Sequence, residues 1–199
     1  MSNHSRQPGF TLLETIFVVA MICVIGAIAV PQLTNSIAYF RISGDARSVS
    51  NAIALTKMRA ASNFAKTRLY VSLDGRWHRI EKADASTPPN WTPDGGTTYL
   101  STNTTFGYGS VSAPPPNTQG TIAQALPCKD NTGTDIANTA CVIFNSRGVP
   151  INSGGTSTSL HAVYLTDGAA SVYGVTVAAT GMVRMWQTRL LATPQWTLQ

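Results

Sequence analysis

Charged side chains are scarce in this chain: Asp, Glu, Lys and Arg make up 12% of its 199 residues, about half of their usual share in globular proteins. Ser, Thr, Asn, Gly and Pro take their place, which is typical of an exported, loop-rich β domain. The low charge does not indicate disorder, because apolar segments with strand periodicity recur up to the C-terminus. The length fits one ordinary domain plus an appendage.

Catalytic motifs are lacking as well, since the acidic residues are scattered and there are three histidines. The segment 107–110 (Gly-Tyr-Gly-Ser) is not a nucleophile elbow, because Ser112 stands where that motif requires Gly. No Rossmann or phosphate-loop glycine spacing occurs. His161 alternates with apolar neighbours, and we expect it to be a half-buried structural residue of a strand. The sequence therefore predicts a non-enzymatic protein without a cofactor.

Cysteine is rare, with three residues in the chain. Cys23 lies in an apolar run, where a lone Cys usually behaves as a small hydrophobe. Cys128 and Cys141 enclose twelve polar-rich residues, so in an exported protein we expect a disulfide that contributes roughly 2–4 kcal/mol. A zinc site is the alternative, but His78 and His161 are distant in sequence and no further Cys is at hand. We therefore predict the disulfide and no metal.

The few charges that are present are unevenly placed, and the formal net charge is +5. Between residues 57 and 82, Asp74 and Glu81 are the acids that oppose seven cations: Lys57, Arg59, Lys66, Arg68, Arg76, Arg79 and Lys82. A basic stripe can attract phosphate or acidic partners. The sequence favours the simpler interpretation that these side chains form solvated faces of a helix and a hairpin.

A long apolar run lies near the N-terminus, and residues 16–30 carry no charged or strongly polar side chain. Counted from Phe10 the run has 21 residues, enough for a helix to cross a ~30 Å hydrocarbon core. Arg6 precedes it, and the next cation is Arg41. This asymmetry favours a cytoplasmic N-terminus, with the rest of the chain across the membrane.

Glu14 is out of place in this run. A carboxylate in a membrane segment costs on the order of 2.5–3.5 kcal/mol at the bilayer centre and less near an interface. An ionisable residue in such a segment is by default a candidate functional residue.

The apolar run has two simple explanations. It could be a secretory signal, because residues 27–29 (Ala-Ile-Ala) look like a signal-peptidase site, or it could be a plain membrane anchor. Neither explanation accounts for Glu14.

The third explanation rests on residues 9–14 (Gly-Phe-Thr-Leu-Leu-Glu), which closely resemble the type IV prepilin signature. The resemblance implies that a prepilin peptidase removes residues 1–9 by cutting between Gly9 and Phe10, and that Phe10 is then N-methylated. It also implies that Glu14 pairs with the N-terminal amine of a neighbouring subunit, which offsets the cost of burying a lone carboxylate. Pro31 matches the proline that kinks many pilin helices.

Beyond residue 31 the pattern is helical to about residue 63. We expect one apolar face, half-buried against a globular domain, formed by Leu33, Ile37, Phe40, Ile42, Ala46, Val49 and Ile53. Residues 67–73 and 76–82 then predict a hairpin around Asp74-Gly75.

The rest of the chain predicts short antiparallel strands. Residues 83–138 are rich in Pro, Gly, Thr and Asn, with short strands expected near 97–100 and 105–108. Gly-containing turns separate the later strands, which favours antiparallel pairing. Four strands are expected in that last part, over residues 140–145, 160–166, 171–178 and 182–188.

This C-terminal pattern, residues 142–148 followed by 175–184 with Thr180-Gly181 inside, resembles the GspH/FimT-type minor pseudopilins. The resemblance implies an α+β "lollipop": a long N-terminal transmembrane and amphipathic helix followed by a mainly antiparallel, β-sandwich-like head. The implied organisation is a leader (1–9), a transmembrane helix (10–30), an amphipathic continuation (31–63) and a periplasmic head (64–199).

The implied function is structural. A minor pilin or pseudopilin of the bacterial inner membrane would meet the prepilin peptidase and methyltransferase, membrane lipid, and other subunits of a type II secretion pseudopilus or type IV pilus. The alternative is DNA binding, as in FimT-like relatives with a Gly-Arg-x-Arg motif. Here residues 181–184 read Gly-Met-Val-Arg, so Arg184 alone matches, with Arg189 and Arg147 as helpers and Trp186 and Trp196 as candidates for base stacking. That departure favours the structural role.

Overall fold

The computed structural model describes residues 11–191 and 193–199, without the side chains of Pro31, Thr34 and Asn35. The described chain divides into two compact units, the first ending at Ala38 and the second comprising Tyr39–Gln199. Gly9 and Phe10, where the sequence predicts cleavage, lie outside the described residues.

One α-helix, α1 (Leu12–Ser62), contributes to both units. It begins at Thr11, whose side-chain oxygen accepts a hydrogen bond from the Glu14 backbone N–H at 3.2 Å, as an N-cap residue does. It ends in a Schellman motif: Phe64 adopts a positive φ of 49°, and the Ala65 N–H donates to the Ala60 carbonyl at 3.3 Å. The backbone is helical through residue 31, and the kink expected at Pro31 stays a prediction.

The two parts of α1 differ in what covers them. Leu12–Val30 has a mean hydropathy of 2.6 and is long and apolar enough to cross a membrane, and its side chains are exposed. In the second unit, by contrast, one face of the helix is fully buried by the rest of that unit: Ile42, Ala46, Val49, Ile53 and Ala60.

The apolar face expected along residues 33–53 is therefore wrong in its first part. Leu33, Ile37 and Phe40 are 62%, 40% and 70% exposed, whereas Ile42 is fully buried. A helix advances by about 100° per residue, so Phe40 and Ile42 point in nearly opposite directions. The buried stripe begins at Ile42, and the earlier apolar residues belong to the other side of the helix.

The second unit contains two antiparallel sheets. The first sheet has the order β3-β2-β1-β6-β7, with β4 also paired to β2, and the second has the order β11-β10-β9-β8-β5. The strands among the described residues are β1 (Thr67–Ser72), β2 (Trp77–Ala83), β3 (Trp91–Pro93), β4 (Thr98–Tyr99), β5 (Thr105–Phe106), β6 (Thr139–Phe144), β7 (Pro150–Ile151), β8 (Ala162–Thr166), β9 (Ser171–Val177), β10 (Val183–Arg189) and β11 (Thr197–Leu198).

Most of these strands match the sequence-based expectation. The β1–β2 hairpin is confirmed, with Ser72 opposite Trp77 across its turn. The four strands predicted in the last third are confirmed as β6, β8, β9 and β10, and α1 and the two sheets share one buried core. An N-terminal apolar helix followed by a mainly antiparallel β head is thus the fold of this chain.

The edge of β8 is closed by a side chain. Strand β5 pairs only with residues 165 and 166 of β8, and just beyond it the Gly107 N–H donates to the Tyr164 carbonyl at 2.9 Å. The Gln124 side-chain amide donates to the Tyr164 carbonyl and accepts from the Tyr164 N–H, both at 2.9 Å. This amide, with the backbone N–H groups of Gly107 and Ala125, thereby covers an edge that would otherwise invite pairing with another chain.

The predicted disulfide between Cys128 and Cys141 is confirmed, with the two Cα atoms 5.0 Å apart. Both cysteines are buried with Ile143 and Ile151. The bond attaches the segment preceding β6 to the outer side of that strand, where the Cys141 N–H also donates to the Leu126 carbonyl at 2.8 Å. Cys23 is an exposed free thiol in the apolar part of α1.

His161 differs from its expectation. It precedes β8 rather than lying in a strand, and it is buried rather than half-buried. Its Nε2 lies 2.9 Å from the Ile151 carbonyl oxygen. Desolvation lowers the pKa of the His161 ring, an effect that this hydrogen bond opposes. Desolvation also lowers the pKa of buried His78, against the opposing charge of Asp45.

These two histidines predict acid sensitivity. Both are held neutral in the folded head, whereas in the unfolded chain they take up protons near pH 6.5. Because the unfolded state binds more protons below that pH, the free energy of unfolding is constant above about pH 6.5 and falls below it, by up to about 1.4 kcal/mol per pH unit for each group. Urea unfolding at pH 7.5, 6.5 and 5.5 measures this slope, and His78→Gln should reduce it. Equal stability at pH 7.5 and 5.5 would contradict the prediction.

Candidate functional site

The first candidate site is the N-terminal half of α1, where Glu14 lies in an apolar surface. Glu14 occupies the first helical turn, and its neighbours Leu13 and Phe17 are exposed. An uninterrupted exposed apolar surface of this length needs lipid or protein to cover it. Within Leu12–Val30, the Glu14 carboxylate is therefore the one charge that the covering lipid or protein must accommodate.

A local role for Glu14 was missed in the sequence. Thr11 and Glu14 form the T-x-x-E pattern of a capping box, and Thr11 does cap the Glu14 N–H. A carboxylate in the first turn also interacts favourably with the positive end of the helix dipole. Glu14 thus has a reason to lie here within a single chain, in addition to any pairing between chains.

The second candidate site is the arginine set proposed for DNA. Arg147, Arg184 and Arg189 are all exposed, but they do not form one cluster along a strand. Arg184 and Arg189 stand at opposite ends of β10, five residues apart, and an odd separation places them on opposite faces of the sheet. Arg147 belongs to the turn after β6.

Arg184 instead shares an open groove with a helix residue. The groove encloses about 580 Å³ between Arg47 of α1 and the β10–β11 edge, and Met182, Met185 and Leu198 line it.

The tryptophans considered for base stacking make contacts within the head. Trp186 is buried and donates its indole N–H to Thr176 at 3.0 Å, and Trp196 donates to the Ala113 carbonyl at 2.9 Å.

Trp196 also packs against a tyrosine ring of the second sheet. Its ring lies 6.0 Å from that of Tyr164. Trp186 is thus a core side chain and Trp196 is half-buried, which favours a packing role for both over base stacking.

The glycine motifs that carried the family resemblance meet in space. Gly148 and Gly181 both adopt positive φ, 73° and 77°. A Cβ on Gly181 would stand 2.8 Å from the Gly148 carbonyl oxygen, so the two turns approach too closely for a side chain. Lys57 of α1 donates to the Gly181 carbonyl at 3.0 Å. The structure gives these motifs a shared packing role against the helix.

The basic stripe at residues 57–82 is neither a free cationic surface nor a set of solvated side chains. Five of its cations have partners in the head. Arg59 forms an ion pair with Asp94, and Arg68 and Arg79 form ion pairs with Glu81. Lys57 donates to the Gly181 carbonyl, and Arg76 donates to the carbonyls of Ser101 and Thr104. Lys66 and Lys82 are the two without such a partner among the described residues. The solvated-face interpretation is therefore wrong for buried Arg68, while Lys57, Arg59, Arg76 and Arg79 are half-exposed side chains with partners in the head.

The most elaborate of these contacts is a ladder on the outer face of the first sheet, formed by Trp91, Arg68, Tyr70, Arg79 and Trp77. The Arg68 guanidinium lies 4.2 Å from the centre of the Trp91 ring and 5.4 Å from that of Tyr70. Arg79 lies 5.4 Å from Tyr70 and 5.1 Å from Trp77. Aromatic rings and cations therefore alternate across the sheet, an arrangement that cation–π attraction stabilises.

Glu81 holds both cations of the ladder. Its Oε2 accepts from Arg68 and its Oε1 from Arg79, each through two nitrogens at 2.6–2.7 Å. Arg68 and Glu81 are 3% and 1% exposed. A third donor of Arg68 reaches the Lys129 carbonyl at 2.7 Å. One buried carboxylate thus balances one buried and one half-exposed guanidinium.

No group of three or more His, Cys, Asp or Glu that could hold a metal ion occurs among the residues that the structure describes.

Comparison with known proteins gives a distant structural similarity. No protein-family model matches the sequence, and no curated protein matches it. The fold is similar to that of the minor pseudopilin EpsH from the Type 2 Secretion System of Vibrio cholerae, with a TM-score of 0.42 and 12% identity, covering 72% of this chain and 93% of that chain.

Proposed function

We propose that this chain is a minor pilin or pseudopilin, a structural subunit that enters or primes a secretion pseudopilus or a type IV pilus. The observation that carries the proposal is the hexapeptide Gly-Phe-Thr-Leu-Leu-Glu at residues 9–14, placed directly before an exposed apolar helix. A secretory signal would be cut away after such a helix. Here α1 instead continues without interruption to Ser62, and its second half forms part of the head's core.

The environment of Glu14 supports this assignment. A soluble protein would bury the apolar surface around Glu14, and in a plain anchor the carboxylate would serve the helix start alone, which other polar residues do without a charge. A subunit that leaves the bilayer for a filament needs the same helix to be stable in lipid and then in protein. A carboxylate at the start of the helix can pair with the new N-terminal amine of a neighbouring subunit once both are desolvated.

The proposal also sets the location and the partners. The N-terminus lies in the cytoplasm, the helix crosses the inner membrane once, and the head lies in the periplasm, where the Cys128–Cys141 disulfide is compatible with an oxidising environment. The partners are the prepilin peptidase and methyltransferase, membrane lipid before assembly, and other subunits. Neighbouring genes distinguish a secretion system from a pilus.

Processing tests the proposal directly. In Gly9→Ala, we expect the precursor to keep its leader and to be absent from filaments, because the peptidase recognises the residue before the cut. Mass spectrometry of the membrane fraction measures this, and the wild-type chain should begin at N-methylated Phe10. Gly26→Ala is the matched control, since a Cβ there meets no atom within 4 Å. Normal maturation of Gly9→Ala would contradict the proposal.

A second function, DNA binding by the head, is favoured by one observation. Arg47 and Arg184 line the same groove on the outside of the head, which places two exposed cations where a phosphate backbone could lie. Gel shift of the full chain in detergent, across a salt series, tests it. If DNA binds there, Arg184→Ala weakens binding and Lys82→Ala, the same charge loss on β2, does not. Absence of binding at micromolar protein and low salt excludes this function.

A further inference from the structure

A second concave site, here called the loop pocket, lies on the outer side of the first sheet. It encloses about 360 Å³, within the size range of protein ligand sites. Its floor includes Trp91 of β3, Ile143 of β6 and Ile151 of β7. Three separate loops form its rim, near residues 86–89, 129–133 and 152–154.

Each of these loops is held by its own hydrogen bonds. In the first, Asp84 accepts from the backbone N–H groups of Ser86 and Asn90 at 3.0 and 2.9 Å. In the second, Asp130 accepts from the N–H groups of Thr132 and Thr134, both at 2.8 Å. Hydrogen bonding lowers the pKa of both aspartates, which keeps these anchoring carboxylates ionised. The rim is therefore preorganised, which reduces the entropic cost of binding.

The third loop is anchored in the same way. Asn152 forms two hydrogen bonds with Thr156. Its side-chain Oδ1 accepts from the Thr156 N–H at 3.0 Å, and its backbone N–H donates to the Thr156 carbonyl at 2.8 Å. The Cys128–Cys141 disulfide fixes the start of the second loop beside Ile143. All three rim loops are thus held by hydrogen bonds of their own, and the second is also cross-linked to β6 of the floor.

The charges around the loop pocket are mostly paired or offset by the carboxylates of its rim loops, Asp84 and Asp130. Arg68 lies at the pocket and shares Glu81 with Arg79, so that this group carries one net positive charge. Lys129 is paired with Asp135 at 2.8 Å, while Asp130 adds one negative charge to the lining. Lys66 is exposed at the rim and has no partner among the described residues.

We propose that the loop pocket binds a segment of another protein in which a carboxylate side chain adjoins an aliphatic or aromatic one. The apolar side chain would rest on Trp91, Ile143 and Ile151, and the carboxylate would pair with Lys66. A peptide provides both groups at a short spacing. Nucleic acid fits less well, because it requires a row of unpaired cations along its backbone, and here Lys66 is the one such cation in the described lining.

The tryptophans of the head make the site directly observable. Of the four, all of which the structure describes, Trp91 alone lines the loop pocket. In ¹⁵N-labelled full chain in detergent micelles, acetyl-Gly-Leu-Asp-Gly-amide should shift the Trp91 indole resonance. The resonances of Trp77, Trp186 and Trp196 serve as internal references. The Asn analogue of the peptide should bind about two- to fivefold more weakly, the effect of losing one exposed ion pair.

Two variants and one control complete the experiment. Lys66→Glu should reverse the preference toward the Lys analogue of the peptide, and Ser153→Phe, which fills the rim, should abolish the Trp91 shift. Lys82→Glu, a cation outside this pocket, should change nothing. Thermal melts confirm that each variant is folded. No Trp91 shift at millimolar peptide, equal binding of the Asp, Asn and Lys peptides, or a Trp91 shift produced instead by a single-stranded DNA oligonucleotide would each overturn the proposal.

Discussion

Glu81→Gln is expected to lower the free energy of unfolding of the head by about 3–5 kcal/mol, the cost of removing one member of a buried ion pair. The substitution keeps the shape of the side chain but removes its charge. Arg68, 3% exposed, then keeps a buried charge without its counterion. Arg79 loses its partner too, but its side chain is 32% exposed, so water compensates it in part.

Denaturant unfolding of the full chain in detergent, followed by tryptophan fluorescence, measures this change. Asp135→Asn is the matched control, because it replaces a carboxylate with an amide in the exposed pair with Lys129 and should cost less than about 1 kcal/mol. Equal effects of the two substitutions would show that the ladder is no more than a surface contact.

Glu14→Leu is expected to separate membrane insertion from assembly. The variant should insert at least as well as the wild-type chain, because it removes a carboxylate that costs up to about 2.5–3.5 kcal/mol in the membrane. It should nevertheless be absent from sheared filaments, since the N-terminal amine of the neighbouring subunit would then be buried without a counterion. Immunoblots of membrane and sheared fractions measure both quantities.

Glu14→Gln distinguishes the two roles of this residue. Gln keeps the capping-box pattern with Thr11 but carries no charge. If Glu14 acts through charge, Glu14→Gln fails in assembly as Glu14→Leu does. If it acts as a helix cap only, Glu14→Gln assembles normally, and the pairing between subunits is wrong.

Local patterns in the sequence predicted much of the β structure. The Asp74-Gly75 turn fixes the β1–β2 hairpin, and its register places Arg68 opposite Glu81, so the buried ion pair follows from a hairpin that the sequence predicts. What the sequence did not reveal is that Trp91 would cover this pair. That contact depends on β3, which is three residues long and lies in a Pro- and Gly-rich stretch.

Two parts of the chain were not predicted, each for its own physical reason. The apolar face of α1 was drawn through Phe40 and Ile42, although a helix turns by about 200° over those two residues. Spacing alone treats every apolar residue as a candidate for the core, whereas the apolar residues of α1 before Ile42 are exposed and lie on the other side of the helix. The long segment 83–138 resisted prediction because its fixing contacts, such as Gln124 on Tyr164, are distant in sequence.

The position of the disulfide has a consequence for the order of events in the cell. Both sulfur-bearing residues are buried once the head has folded, and thiol–disulfide exchange requires a thiolate to reach a sulfur atom. Oxidation must therefore take place while the segment before β6 is still open and before the sheet is covered. In the finished head, the same burial shields the bond from reductants. The order is thus oxidation first and closure of the sheet second, and the folded head then protects the cross-link.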